Sequence, residues 1–151
     1  MRAKLGLNQA GDRTGALIDD LLTLLYEQAV DYTSSFRALS ASLRGDAAPA
    51  HTLFAEPSAF DAWADRWREQ LAHEPSDPDE TATAMDRVNP LYIPRNNKVE
   101  EALTAATAGD LEPFQRLLDV LAHPFDERPG LESYAAPTPS SWGPYRTFCG
   151  T

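Results

Sequence analysis

Cysteine, lysine and long apolar runs are scarce in this sequence, and each shortage excludes a class of protein. A single cysteine, Cys149, cannot form a disulfide within the chain or build a thiolate metal cluster. With 13 basic and 23 acidic residues, a formal net charge of -10, the chain lacks the basic surface that nucleic acid requires. No apolar run approaches the roughly 20 residues needed to cross a bilayer, and no signal peptide begins the sequence. We therefore expect a soluble, cytoplasmic protein that binds neither nucleic acid nor membrane.

Helical periodicity dominates what is present. The chain has 151 residues, 42% of them hydrophobic, which is enough for one buried core. Apolar residues recur at three- and four-residue spacing, and no stretch alternates convincingly as a strand does. The pattern predicts an all-α fold of about six helices, beginning near residues 12, 31, 58, 79, 98 and 110. The side chains expected on buried stripes of the third and last of these helices are Phe60, Trp63, Trp67, Leu71, Phe114, Leu117, Leu118 and Leu121.

Helix boundaries are predicted from residues that cap helices. Side-chain oxygens at helix N-termini accept otherwise unpaired backbone N–H groups, and glycine suits the position just past a C-terminus. Residues 46–57 lack periodicity and are expected to form a loop. The predicted N-caps are Asp12, Ser58, Asn96 or Asn97, and Asp110, and the predicted C-terminal glycines are Gly45 and Gly109.

The last 28 residues differ from the rest in composition. They contain five of the 12 prolines and three of the eight glycines, so regular structure is expected to fail there. They also contain five of the 14 aromatic residues, too many for a segment that stays disordered. We therefore divide the chain into a helical region, residues 1–123, and an irregular docking tail, residues 124–151. The surface that receives the tail need not lie within this chain.

Residue patterns typical of catalytic, cofactor-binding and metal sites are missing. The three histidines are far apart, without the H-E-x-x-H spacing of zinc sites, and no Walker or dinucleotide-binding glycine motif occurs. Lys4 and Lys98 are the only lysines that could contact phosphate. Adjacent acids such as Glu100 and Glu101 point about 100° apart on a helix and are expected to be solvated. We predict no catalytic residue, cofactor-binding residue or metal ligand within this chain.

Two features have both a structural and a functional interpretation. Trp63 and Trp67 could form a stacking platform for a base or sugar, but their shared stripe with Phe60 favours core packing. Cys149 lies three residues from the end on a segment with little reason to be rigid. Such a thiol could reach a distant sulfur, since exchange requires access and a thiolate. The residues alone favour a small apolar side chain docked beside Phe148.

A family resemblance rests on several strings of residues. The most specific is Asn89-Pro90-Leu91-Tyr92-Ile93-Pro94-Arg95-Asn96, followed downstream by Ala108-Gly109-Asp110. Earlier landmarks are Lys4-Leu5-Gly6-Leu7 and the helix with Trp63 and Trp67, and the end Thr147-Phe148-Cys149-Gly150-Thr151 also fits. Together these resemble the C-terminal part of the selenoprotein O family. Asn97 departs from the histidine found in many bacterial relatives.

The resemblance implies a function for a longer protein. Members of that family have a kinase-like fold and transfer AMP from ATP, with Mg2+ or Mn2+, to hydroxyl groups of protein substrates. Their nucleotide and metal residues lie in N-terminal and central parts that this sequence does not match, so no catalytic residue carries over. The implied partner is therefore the missing N-terminal kinase-like region of the same enzyme. The alternative hypothesis is a free-standing helical protein-interaction module.

The resemblance also gives roles to Cys149 and Arg95. Many relatives have cysteine or selenocysteine third from the end, where a link to another cysteine can serve as redox control, so Cys149 is a candidate redox thiol. Arg95 could hold a substrate or regulatory phosphate, or it could pair with an acid within a structural connector. We favour the structural interpretation, because the prolines and capping asparagines around Arg95 are explained by folding alone.

Overall fold

The computed structural model describes residues 1–8 and 11–143, and within them the chain contains helices and no strand. The predicted all-α fold class is therefore confirmed. Short 3-10 turns span Arg2–Leu5 and Ser140–Trp142. The α-helices in this part of the chain are α1 (Asp12–Glu27), α2 (Tyr32–Leu43), α3 (Ala48–Leu53), α4 (Pro57–Leu71), α5 (Pro78–Val88), α6 (Asn96–Thr107), α7 (Glu112–Ala122) and α8 (Glu132–Ala135).

Six of these helices are the predicted ones, and two short helices were not predicted. The expectation of a loop at residues 46–57 is wrong, because α3 occupies six of those positions. Pro49 stands in the first turn of α3, where its missing N–H costs little, and Ala50 is fully buried. One buried alanine gives no periodic signal, so the pattern could not reveal this helix. The four-residue α8 lies in the tail that was expected to be irregular.

Several predicted N-caps are displaced by a residue or two. Helix α1 starts at Asp12 itself, and α4 starts at Pro57, one residue before the predicted cap Ser58, because proline already has the φ of a first helical turn. The N-cap of α6 is Arg95 rather than Asn96 or Asn97. Leu111 rather than Asp110 is the N-cap of α7, although the Asp110 carboxylate still accepts the Glu112 N–H at 3.0 Å.

The chain divides into two compact units, unit 1 (Met1–Pro90) and unit 2 (Leu91–Thr151). The predicted change from helical region to tail at residue 123 stays a prediction. The core of unit 1 is built from buried side chains of the first 3-10 turn and α1 to α5, and its largest members are Trp63, Trp67, Phe36 and Phe60.

Buried tryptophans fix the relation of α4 to its neighbours in unit 1. The rings of Trp63 and Trp67 stack with centroids 5.6 Å apart. Trp63 donates its indole N–H to Leu17 O, and Trp67 donates to Leu5 O, each at 2.9 Å. Since each ring is buried and its N–H is satisfied, the predicted core packing of both tryptophans is confirmed.

Polar contacts join the beginning of unit 1 to its end. Asn89 is buried, donates its side-chain amide to Lys4 O at 3.0 Å, and accepts from Lys4 Nζ at 3.2 Å. Between these two residues Gly6 has a positive φ of 69°, and a Cβ there would run into Thr81. The glycine therefore permits both the turn and the close approach of α5.

Unit 2 has a much smaller core, in which Tyr92, Val120 and Leu131 are buried. Helices α6 and α7 pack together, with Ala102 and Leu117 also buried. The prediction that Phe114 and Leu118 are buried is wrong, because these side chains are 37% and 53% exposed. Helical periodicity correctly placed them on an apolar arc, but the part of unit 2 that the structure describes leaves this side of the arc exposed. No helix among the described residues has the length and apolar character needed to cross a membrane.

Candidate functional site

The residues after Pro90 hold the beginning of the tail. The backbone N–H groups of Leu91 and Tyr92 both donate to Pro124 O, at 2.7 and 3.1 Å. The Tyr92 ring is buried, and its hydroxyl oxygen accepts the Arg128 N–H at 3.1 Å. This extended segment thus gives hydrogen-bond partners to a tail that has little regular structure of its own.

Two further side chains, those of Arg95 and Asn97 just after this segment, reach residues 135 and 138 of the tail. Arg95 is only 6% exposed and donates from Nη2 to Ala135 O at 3.1 Å. The Asn97 side-chain oxygen accepts the Thr138 hydroxyl at 3.0 Å. We call Tyr92, Arg95 and Asn97 the tail clamp, because each contacts a residue between positions 128 and 138.

Arg128 links the tail to the end of α7. Its Nη1 pairs with the Asp119 carboxylate at 2.9 Å, while Nη2 donates to the carbonyl oxygens of Asp119 and Val120 at 3.1 and 3.3 Å. The guanidinium carbon lies 6.0 Å from the centre of the Tyr92 ring. Arg128 therefore satisfies carbonyls at a helix C-terminus, where positive charge is favourable.

Glu132, at the start of α8, has a perturbed carboxyl group. The Gly130 N–H donates to its Oε1 at 2.9 Å, and this bond, helped by the backbone of Glu132 itself, lowers the pKa of the Glu132 carboxyl. The ionised carboxylate thus stabilises the turn before α8, which the tail clamp holds through Ala135.

Of the two residues given candidate roles by the sequence, the structure describes Arg95 but not Cys149. Cys149 lies outside the described residues, so its predicted role as a redox thiol stays a prediction. Arg95 is buried and bonded to a backbone carbonyl of the tail, which agrees with a structural role in the connector. Its predicted acidic partner stays a prediction.

The histidines lie on the surface of unit 1 or at a helix end. His51 Nε2 lies 2.8 Å from Asp61 Oδ1, in a pair that is about half exposed. The His73 ring bonds to Glu69 O at 2.7 Å, and His123 ends α7. In the described ranges no three histidine, cysteine, aspartate or glutamate side chains are grouped so as to hold a metal ion.

The lysines do not offer a site for a nucleotide phosphate. Lys4 Nζ bonds to Asn89 and lies 5.1 Å from the centre of the Phe36 ring. Lys98 Nζ pairs with Glu101 at 2.8 Å and lies 5.7 Å from the Tyr134 ring. Both ammonium groups are thus occupied by neighbours within their own unit.

A cleft on unit 1 is equally unsuited to a nucleotide. Its volume is about 360 Å³, and Arg68 and Glu74 contribute the charged part of its lining. The Arg68 guanidinium is bound to Asp65 at 3.0 Å and Ser42 at 2.8 Å. Arg68 is thus engaged by its neighbours, and we derive no chemical step through this cleft.

The tail clamp was not recognised from the sequence. Its bonds join residues 36 to 41 positions apart, and no local spacing reports such a pairing. The available signal was a group of polar residues within and just after the segment from Pro90 to Pro94, in a chain whose tail is rich in aromatics.

Comparison with known proteins assigns the chain to a family. The family model described as protein adenylyltransferase SelO matches residues 1–122. The chain is similar over its whole length to proteins named protein nucleotidyltransferase YdiU, with 55% identity in Mycobacterium sp. (strain KMS), 52% in Mycolicibacterium smegmatis and 45% in Sphingopyxis alaskensis. It spans only 30%, 28% and 31% of the length of these relatives. This helical chain, whose connector clamps its own tail, belongs to the SelO family of protein adenylyltransferases.

Proposed function

We propose that this chain is the C-terminal helical part of a longer SelO-type protein adenylyltransferase, and that it serves structure and regulation without transferring AMP by itself. The proposal rests on one observation: the alignment covers the whole of this chain but a small part of the relative. The whole chain aligns with the Mycobacterium sp. (strain KMS) relative at 55% identity, yet it accounts for 30% of that protein. Most of the relative, including its nucleotide site in this proposal, is polypeptide with no counterpart here.

In the complete enzyme, ATP and Mg2+ or Mn2+ would be held by the kinase-like part, and AMP would pass to serine, threonine or tyrosine hydroxyls of protein substrates. Lys4 bonds to Asn89 and Lys98 pairs with Glu101, each within its own unit, which agrees with this division of labour. The contribution of the present chain is to pack on that part and to position the tail.

The tail clamp gives the regulatory side of the proposal a physical basis. Arg95 and Asn97 fix the backbone at Ala135 and the side chain of Thr138. The polypeptide that leads to Cys149 therefore continues from an anchored position. In this proposal Cys149 is one half of a redox pair whose other cysteine lies in the kinase-like part.

AMP transfer from labelled ATP tests the proposal. The purified chain is incubated with Mg2+ or Mn2+ and a protein acceptor, beside a chimera in which it replaces the matched segment of the Mycobacterium sp. (strain KMS) relative. We expect label on protein only with the chimera. The intact relative is the positive control. Transfer by the isolated chain would contradict the proposal, and so would an inactive chimera that is folded and accompanied by an active relative.

Exposed apolar side chains favour a second candidate, a free-standing helical interaction module. Leu118 and Tyr26, which are 53% and 87% exposed, would be contact residues of such a module. The coding sequence upstream of Met1 separates the candidates. An in-frame kinase-like region there supports the enzyme part, whereas an unrelated gene with its own stop codon supports the module.

A further inference from the structure

Helix α7 and its N-cap residue carry an apolar stripe that the described residues of unit 2, up to position 143, leave exposed. The stripe consists of Leu111, Phe114 and Leu118, which are 55%, 37% and 53% exposed. Their spacing of three and four residues places them on one face, since such neighbours lie above one another on a helix. We call these three residues the α7 stripe.

The remainder of the apolar arc of α7 is already used. Leu117 and Val120 are buried in unit 2, at 6% and 0% exposure, and Leu121 packs partly against the same core. A helix with apolar residues over so wide an arc is typical of a position with neighbours on more than one side. The α7 stripe is thus the side of the helix that residues 91–143 leave exposed.

The small core of unit 2 indicates that this neighbour adds to its stability. A unit of about 60 residues buries a modest share of its surface and is marginal without further support. Among its described residues, the core cluster has Tyr92, Val120 and Leu131 as buried members. Covering the α7 stripe would extend this core on the far side of α7.

The comparisons and the charges of the chain indicate what covers the stripe. The relatives contain more than twice as much polypeptide outside the matched segment as within it, and the family model that ends at residue 122 includes α7 entirely. The net charge of -10 opposes close approach of a second copy of the chain. Asp110 and Glu112 are exposed on either side of Leu111, so the covering surface should carry basic groups beside its apolar centre.

We propose that the α7 stripe is the surface on which the rest of the longer SelO-type protein packs, through an apolar face flanked by lysine or arginine. This inference rests on the proposed function and adds to it the contact surface and its chemistry. It commits to a segment of the same polypeptide, and a second copy of this chain is an outcome that would overturn it.

Hydroxyl-radical footprinting, read by mass spectrometry at single residues, tests the contact. The isolated chain and the chimera described above are labelled under the same conditions. We expect Leu118 and Phe114 to be labelled in the isolated chain and to be protected in the chimera. Leu118 would fall from 53% exposed to the level of an interface core, a decrease of about fivefold in labelling. Leu22 on α1, which is 37% exposed like Phe114, is the matched control within the same samples.

A substitution supplies an independent measurement. Leu118→Glu is expected to leave the thermal midpoint of the isolated chain unchanged and to lower that of the chimera, because only there is the side chain covered. Leu22→Glu is the matched control. Should the chimera fail to fold, footprinting of the intact Mycobacterium sp. (strain KMS) relative at the helix aligned with α7 gives the same answer.

The outcomes separate this inference from the proposed function. Equal labelling of Leu118 in the isolated chain and in an AMP-transferring chimera overturns the contact surface while the proposed function stands. Protection in an inactive chimera supports the contact and counts against the function. Concentration-dependent dimers of the isolated chain that Leu118→Glu abolishes would show a second copy on the stripe, and so would overturn the inference.

Discussion

Among the described residues, unit 1 buries 16 apolar residues in one cluster, whereas the cluster of unit 2 has three buried members. Unit 2 instead holds its tail by hydrogen bonds at Tyr92, Arg95 and Asn97. This difference in core size indicates that the two units are stabilised by different interactions. Packed aromatic and aliphatic side chains stabilise unit 1, so a cavity there should be costly. Directional bonds to buried polar atoms stabilise unit 2, so the loss of one partner should loosen the tail.

Replacing a tryptophan of unit 1 should have the largest effect. Trp67→Ala removes a fully buried ring and the donor to Leu5 O, with an expected loss of about 3–5 kcal/mol in the free energy of unfolding. Chemical denaturation followed by circular dichroism measures it. Trp142→Ala, at a tryptophan that is 37% exposed, is the matched control in unit 2. Equal losses for the two variants would contradict the assignment of the dense core to unit 1.

A substitution at Gly6 tests how tightly unit 1 is packed. Gly6→Ala combines a positive φ with a Cβ that collides with Thr81, and we expect it to destabilise the unit by about 2–4 kcal/mol. Gly45→Ala has the same sign of φ but no atom within 4 Å, so it should cost about 1–2 kcal/mol. Thermal unfolding of both variants isolates the packing contribution. A Gly6 variant no less stable than the Gly45 variant would mean that α5 can move away.

Removing one hydroxyl should loosen the tail in unit 2. Tyr92→Phe leaves the Arg128 N–H without its acceptor, at a cost of about 1–3 kcal/mol that is confined to the tail. Hydrogen exchange at residues 124–138 should become faster, while exchange in α4 stays unchanged. Tyr26→Phe, at an 87% exposed ring, is the control. Unchanged exchange in the tail would show that the clamp does not depend on this bond.

The smallest effect concerns pH. The pKa of Glu132 is lowered in the folded chain by the Gly130 N–H, so its stabilising contribution is present above the ordinary pKa of the carboxyl, near 4.5. That contribution is lost as the pH falls through the lower folded value. The protection of the Gly130 amide, measured as its exchange rate relative to the intrinsic rate at each pH, should therefore decrease upon acidification, and Glu132→Gln should reduce this dependence. Glu127→Gln is the charge-matched control, and an identical pH profile for both variants would contradict the prediction.

The spacing of apolar and capping residues correctly predicted where several helices lie and which of their faces are buried. The stripe of Phe60, Trp63 and Trp67 specified both helix α4 and its burial, because side chains four residues apart share a face. The Asp31 carboxylate, which accepts the Ser34 N–H at 2.8 Å, likewise begins α2 where the pattern placed its start.

Contacts between residues distant in sequence could not be predicted this way. Periodicity places Phe114 on an apolar arc but does not say whether a neighbour exists to cover it, so its burial was wrongly predicted. The bond between Arg95 and Ala135 depends on the path of the chain over 40 residues, which no local spacing records. The same limit applies to α3, in which Ala50 is the one fully buried residue.

The contact between Lys4 and Asn89 has a consequence for how such proteins are assembled. It brings the entry and exit of an 85-residue stretch of polypeptide to one place, as in modules that can be inserted into or permuted within a longer protein. Any polypeptide joined ahead of Met1 would thus enter unit 1 beside the point where the chain leaves it at Pro90. Additional polypeptide could therefore be joined on that side without disturbing the core around Trp63 and Trp67.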